Sequence, residues 1–267
     1  MSVQILGPVQ VLRGDELRVP SPRLARLLLG SLALRANRTV SVAWVKDALW
    51  SDRPPKSAAA NLRGYLAGLR RLLPPARSSG LSIDSGPAGY CLHAEPDALD
   101  ALLFDCLLSD GRRLLLDGEY PAAAERLTRA LALWRGPVLD GITVPESLQP
   151  DVHVLEIKRQ DAIEDCVQAR LSLGQHRELV SELTMLVAQG PLRERLCGQL
   201  MLALCRSGRQ VEALAAYQAL RKRLDDELGV LPAAEIQALY RRVLRADPDL
   251  QVITPLRRAD RSRLVPL

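Results

Sequence analysis

Residues Lys56 to Leu73 read KSAAANLRGYLAGLRRLL. Ala58, Leu62, Leu66, Leu69 and Leu73 recur at intervals of three or four, which places them on one stripe of a helix. The opposite face collects Ser57, Ala60, Gly64, Ala67, Gly68 and Arg71, flanked by Lys56, Asn61 and Arg63. That face is narrow, small in side chain and basic. A glycine inside a helix costs roughly 1 kcal/mol relative to alanine, so two of them on one face call for a reason. Close approach to a large anionic surface supplies one, and the major groove of DNA is wide enough to admit a helix. The stretch reads as a DNA recognition helix. A small-faced helix can also pack on another helix, and the surrounding chain has to decide.

Upstream, Val3 to Leu6, Val9 to Arg13 and Glu16 to Val19 are short β-prone pieces, the last two joined by the hairpin-type turn Gly14-Asp15. Ser21-Pro22 signals a helix running to about Arg35, with Ser21 as cap. Ser41 is placed to cap a second helix through Trp50, which Pro54-Pro55 ends. Downstream, Pro74 to Gly80 reads as a loop, and two short strands flank Ser85-Gly86-Pro87-Ala88-Gly89 as a hairpin wing. Three strands, three helices with the third the most basic, and a final hairpin spell a winged helix-turn-helix whose third helix enters the major groove.

Charge divides along the same line. Residues 1–95 carry thirteen Lys/Arg against six Asp/Glu, whereas 96–246 carry nineteen against twenty-two. A basic phosphate-binding module joined to a mildly acidic partner-binding one fits that split. Low aromatic content beside abundant Leu, Ala and Arg favours helices for the remainder. Gly174 and Gly208 lie one tetratricopeptide period apart, and each is followed at matching offsets by apolar residues: Leu179, Leu183 and Leu186 after the first, Ala213, Tyr217 and Leu220 after the second. Gly118 opens another copy with Ala123, Leu127 and Ala130, and Pro191 falls where such units break. The fold expected is mainly α: an N-terminal α+β winged helix-turn-helix over 1–95, an all-α tetratricopeptide-like repeat over 96–246, and a disordered tail over 247–267.

Five cysteines without a C-x-x-C pair encode neither a disulfide framework nor a zinc site, and Cys91 with His93 supplies two donors where a metal site needs more. No Walker-type loop, G-x-S-x-G elbow or H-E-x-x-H occurs, so neither catalytic residues nor a cofactor are expected. No segment is apolar enough to export or span a membrane, which points to the cytoplasm and, with DNA as ligand, to the nucleoid.

With these residues in place the chain resembles the SARP family, the Streptomyces antibiotic regulatory proteins, which join an OmpR/PhoB-type winged helix to a bacterial transcriptional activation domain. The resemblance rests on Ile5-Leu6-Gly7, Asp47-Ala48-Leu49-Trp50 with Pro54-Pro55, Leu69-Arg70-Arg71-Leu72-Leu73 and Gly89-Tyr90 in the first part. In the second it rests on Trp134-Arg135-Gly136-Pro137, on Pro191-Leu192-Arg193-Glu194-Arg195, on Ser207-Gly208-Arg209-Gln210 with Glu212-Ala213-Leu214, and on Glu227-Leu228-Gly229-Val230. Ser51 stands where the family usually has glycine, and Cys197 and Cys205 where aromatics are common. The resemblance implies a short transcriptional activator of a secondary-metabolite gene cluster, without an attached sensor. It implies two tandem protomers on direct repeats near the promoter −35 element, recruiting RNA polymerase holoenzyme through sigma region 4. The rival reading is a tetratricopeptide-type effector-sensing or interaction regulator whose DNA binding is repressive or secondary.

The DNA contacts follow from side-chain chemistry. Ser57, Asn61 and Arg63 near the start of the third helix are candidates for base edges, with Gly64 allowing close approach, because Arg suits guanine and Asn suits adenine. Lys56, Arg70 and Arg71 are candidates for phosphates, as is the Tyr65 hydroxyl. Thr39 and Ser41 open the second helix, whose free N–H groups suit a phosphate. Gly86 and Gly89 let the wing turn tightly enough to reach a minor groove.

Overall fold

The structure is a computed structural model that describes residues 2–73, 80–190 and 192–250. Most of the expected loop Pro74 to Gly80, the break residue Pro191 and tail residues 251–267 therefore lie outside the described residues. The chain groups into two compact units, residues 2–110 with 126–163 and residues 111–125 with 164–250.

The first unit begins with strands β1 (Ser2–Gln4), β2 (Gln10–Arg13) and β3 (Glu16–Arg18), an antiparallel sheet in chain order. Val3 and Val11 are paired across the first ladder and both are buried. Helix α1 (Arg23–Leu34) starts later than its signals suggest: Pro22 occupies the cap position and accepts the Ala25 and Arg26 amides through its carbonyl, so Ser21 is not the cap. Leu27, Leu28, Leu29 and Leu32 of α1 are buried against α2 (Val42–Trp50) and α3 (Ala58–Leu72). The hairpin β4 (Leu81–Gly86) and β5 (Gly89–Ala94) comes next, in the register Asp84 to Cys91 and Gly86 to Gly89. This is the winged helix-turn-helix.

The first unit also extends past position 95. Helix α4 (Asp100–Leu116) starts with Asp100, which is buried and accepts the backbone amides of Ile5 and Leu6 at 2.9 and 3.0 Å. After α5 (Tyr120–Ala132), the Trp134-Arg135-Gly136-Pro137 segment returns to residues 5–7, between β1 and β2. Arg135 donates its amide to the Leu6 carbonyl, Leu139 to Ile5 and Asp140 to Gly7. Arg135 also reaches Asp100 through Nη2 at 3.2 Å. Trp134 is buried, edge-on to Phe104 at 5.4 Å between centroids. Trp44 and Trp50 are only half-buried, and the Arg35 guanidinium lies 4.2 Å from the Trp44 ring centre.

The second unit is helical repeat. It holds the C-terminal part of α6 (Gln149–Ser172), then α7 (His176–Gln189), α8 (Glu194–Arg206), α9 (Gln210–Leu228) and α10 (Ala234–Leu244). The turns before α5, α7 and α9 each place a glycine, Gly118, Gly174 and Gly208, at φ between 77° and 82°, a region that favours glycine. The offsets counted from them hold: Ala123, Leu127, Ala130, Leu179, Leu183, Ala213, Tyr217 and Leu220 are buried, and Leu186 is half-buried. Two carboxylates buried on α6 are bound by arginines. Glu164 meets Arg193 at 3.0 Å and Arg195 at 3.2 Å, and Asp165 meets Arg112 at 2.7 Å. Helix α10 closes the array with Ile236 and Val243 buried and Tyr240 stacked on Tyr217. In the stretch expected as tail, residues 248–250 form a 3-10 turn whose Leu250 is buried, and the Leu250 carbonyl accepts Arg206 Nε at 2.8 Å.

Candidate DNA interface

Helix α3 buries Ala58, Leu62, Leu66 and Leu69, the stripe read from spacing, with Leu73 buried just beyond its end. Burying four leucines gives roughly 1.5–3 kcal/mol apiece, which anchors the helix firmly and sets its opposite face outward. Ala59, Ala60, Arg63, Gly64, Ala67, Arg70 and Arg71 are exposed there, while Asn61, Tyr65 and Gly68 are half-buried. A Cβ added at Gly64 or Gly68 meets no atom within 4 Å. The glycines are therefore not needed to seat α3 against its own fold.

The basic residues divide into two kinds. Lys56, Arg63 and Arg71 are exposed and have no ion-pair or hydrogen-bond partner among the described residues. Arg70 is engaged: its Nε donates to the Ile83 carbonyl at 2.9 Å and its Nη2 to Ser85 Oγ at 2.6 Å. It ties α3 to wing strand β4, a role that sequence spacing does not reveal. At the start of α3, Ser57 Oγ accepts Asn61 Nδ2 at 3.2 Å, so those two candidates form one pair. Tyr65 lies beside them on the helix, half-buried.

The start of α2 is fixed from two sides. Ser41 caps it as expected, its Oγ accepting the Trp44 amide at 3.1 Å, and Thr39 is exposed just before it. Asn37, which no sequence signal singles out, binds Ala94 with both ends of its amide at 3.0 Å. Val40 and Tyr90 exchange both backbone bonds, at 2.8 and 2.9 Å, which docks the wing against the approach to α2. This explains Gly89: it is buried at φ 137°, and a Cβ there would sit 1.9 Å from the Val40 carbonyl oxygen. Its requirement is inside the fold. Gly86, at the hairpin tip, is exposed with nothing within 4 Å of an added Cβ.

On one face of the wing, Cys91 Sγ is 3.9 Å from His93 Nδ1, and His93 Nε2 is 3.4 Å from Asp84. Burial pushes the Cys91 thiol up, and the Asp84 charge adds to it, which keeps the group a thiol. Among the described residues no group of three or more His, Cys, Asp or Glu is arranged to hold a metal, and no described helix is long and apolar enough to cross a membrane.

The chain matches known proteins over most of its length. The bacterial transcriptional activator domain family matches residues 99–244. The chain is 36% identical over 259 residues to the regulatory protein DnrI of Streptomyces peucetius, covering 94% of both chains. The chain belongs to the SARP family. This SARP chain is also 43% identical over 248 residues to the regulatory protein AfsR of Streptomyces coelicolor, matching 92% of its own length but 24% of AfsR. It thus spans about a quarter of the length of that relative. Its fold matches the structure of Mycobacterium tuberculosis EmbR in complex with a low-affinity phosphopeptide, with a TM-score of 0.85 and 29% identity, covering 94% of this chain and 68% of that one.

Proposed function

We propose that this SARP chain is a sequence-specific DNA-binding activator of transcription, with residues 1–95 carrying the DNA contacts and 96–246 the contacts to polymerase. The observation that carries the reading is the outward face of α3. Gly64 and Gly68 weaken the helix without any packing need for their smallness, beside the cations Lys56, Arg63 and Arg71, which have no partner among the described residues. A face held that low suits insertion into a major groove, where Arg63 and Asn61 meet base edges. Lys56 and Arg71 meet phosphates, with the start of α2 at Thr39 and Ser41 and the wing tip at Gly86 reaching the flanking backbone. Arg70 serves the interface by bracing the wing on α3. Two protomers bind direct repeats in tandem near a −35 element and recruit RNA polymerase holoenzyme through sigma region 4, the targets being genes of a secondary-metabolite cluster.

The test is transcription in vitro by purified holoenzyme from promoters that this chain protects in a footprint. More transcript with the chain present supports activation. Less transcript, or a footprint without a change in transcript, favours the tetratricopeptide-type effector-sensing or repressive regulator.

A further inference from the structure

We infer that Ser57 is a positioning residue for base reading, holding the Asn61 amide so that α3 offers one fixed donor–acceptor pair to a base edge. The inference rests on α3 being the recognition helix and adds which chemistry Asn61 presents. Ser57 occupies the cap position of α3, where a serine oxygen ordinarily accepts an amide from the first helical turn. It makes no such bond. Its Oγ instead accepts Asn61 Nδ2 at 3.2 Å, while its carbonyl accepts the Asn61 amide at 2.9 Å. The residue that would cap the helix is turned to the residue four positions on, along the exposed flank.

An asparagine amide free in water rotates about a broad torsion and shows either its oxygen or its nitrogen to a given direction. With one Nδ2 hydrogen given to Ser57, what remains is one N–H and the Oδ1 acceptor. That pair complements the N6 donor and N7 acceptor of adenine, and it does not complement guanine, whose major-groove edge offers two acceptors. Ala60 and Gly64, exposed and small, keep the outer side of Asn61 low.

The experiment is selection of binding sites from a randomised duplex library by the full chain, its S57A, S57T and N61A variants, and thermal melts of all four. The wild type is expected to enrich a motif with adenine at one position, discriminated by about tenfold or more. N61A and S57A both lose that preference, S57T restores it, and affinity for scrambled duplex stays the same throughout. The S57A melt matches the wild type, since no cap bond is removed. Retention by S57A of the adenine preference that N61A loses overturns the inference and leaves the recognition-helix reading standing. Guanine at the Asn61 position overturns it too, because the amide is then not held. A wild-type selection that enriches no motif removes the recognition-helix reading itself, and the inference with it.

Discussion

Asp100 and Ile5 are 95 residues apart in the chain, yet the Asp100 carboxylate accepts the Ile5 amide at 2.9 Å from both oxygens. The Leu6 amide and the Arg135 guanidinium share that carboxylate, and the Trp134 to Asp140 segment binds the Ile5, Leu6 and Gly7 carbonyls. Residues beyond position 95 thus satisfy the backbone of residues 5–7, between β1 and β2. Removing the carboxylate leaves buried donors without an acceptor, and Asp100→Ala should cost about 2–5 kcal/mol, read as a loss in chemical denaturation. Burial pushes the Asp100 carboxyl above the usual carboxylate range, against the Ile5 and Leu6 amides and Arg135, which pull it down. A raised native value means the native state holds this proton more tightly than the unfolded chain. The associated stability is full below the unfolded pKa, about 3.9 for Asp, and is lost as pH rises through the native value. The melting-temperature advantage of the wild type over Asp100→Asn should therefore shrink as pH rises through that window. An advantage that grows instead would contradict the direction of the shift.

Ser51, between α2 and α3, adopts φ 50° and ψ −136°. That region is open to glycine and costly for a residue with a Cβ, on the order of 1–3 kcal/mol. The family's usual glycine at this position has its physical reason here, and Ser51→Gly should stabilise the chain by about 1 kcal/mol. Equal or lower stability in a melt or denaturant titration would show that the serine hydroxyl offsets the strain.

The parts of this architecture that depend on local period were legible from sequence. Leu62, Leu66 and Leu69 needed only their spacing, and Gly118, Gly174 and Gly208 needed only the repeat period with the apolar offsets after each. What stayed hidden was long-range. Asp100 reads as an ordinary acidic residue at a helix start, and nothing local pairs it with Ile5. Arg70 reads as a phosphate contact because spacing does not show where β4 folds back to offer the Ile83 carbonyl. Gly89 reads as a tip glycine until Val40 is brought against it. The Ser57 and Asn61 pair had a usable signal, a spacing of four on one helix face, which the base-contact reading treats as two separate candidates.

Arg71 and Arg70 are adjacent in sequence and separable by experiment. Arg71 has no partner among the described residues, so Arg71→Ala should weaken all duplexes alike, lower the log–log salt slope by about 1, and leave the melt unchanged. Arg70→Ala removes the bonds to Ile83 and Ser85 and should lower stability by about 1–3 kcal/mol. An unchanged salt slope for Arg71→Ala would return that residue to a solvated face.

In the proposed function, the small face of α3 is what enters the groove. A Cβ added at Gly64 meets nothing within 4 Å in the free chain, and replacing a helical glycine gains roughly 0.5–1 kcal/mol of stability. Gly64→Leu should therefore melt at or above the wild-type temperature while a bulky side chain holds the helix off its target. The direct measurement is a binding titration of wild type and Gly64→Leu on the selected duplex, with a melt of both. The expected result is a stable variant that has lost sequence-specific binding, and a stable variant that binds the selected duplex as tightly as the wild type would contradict it.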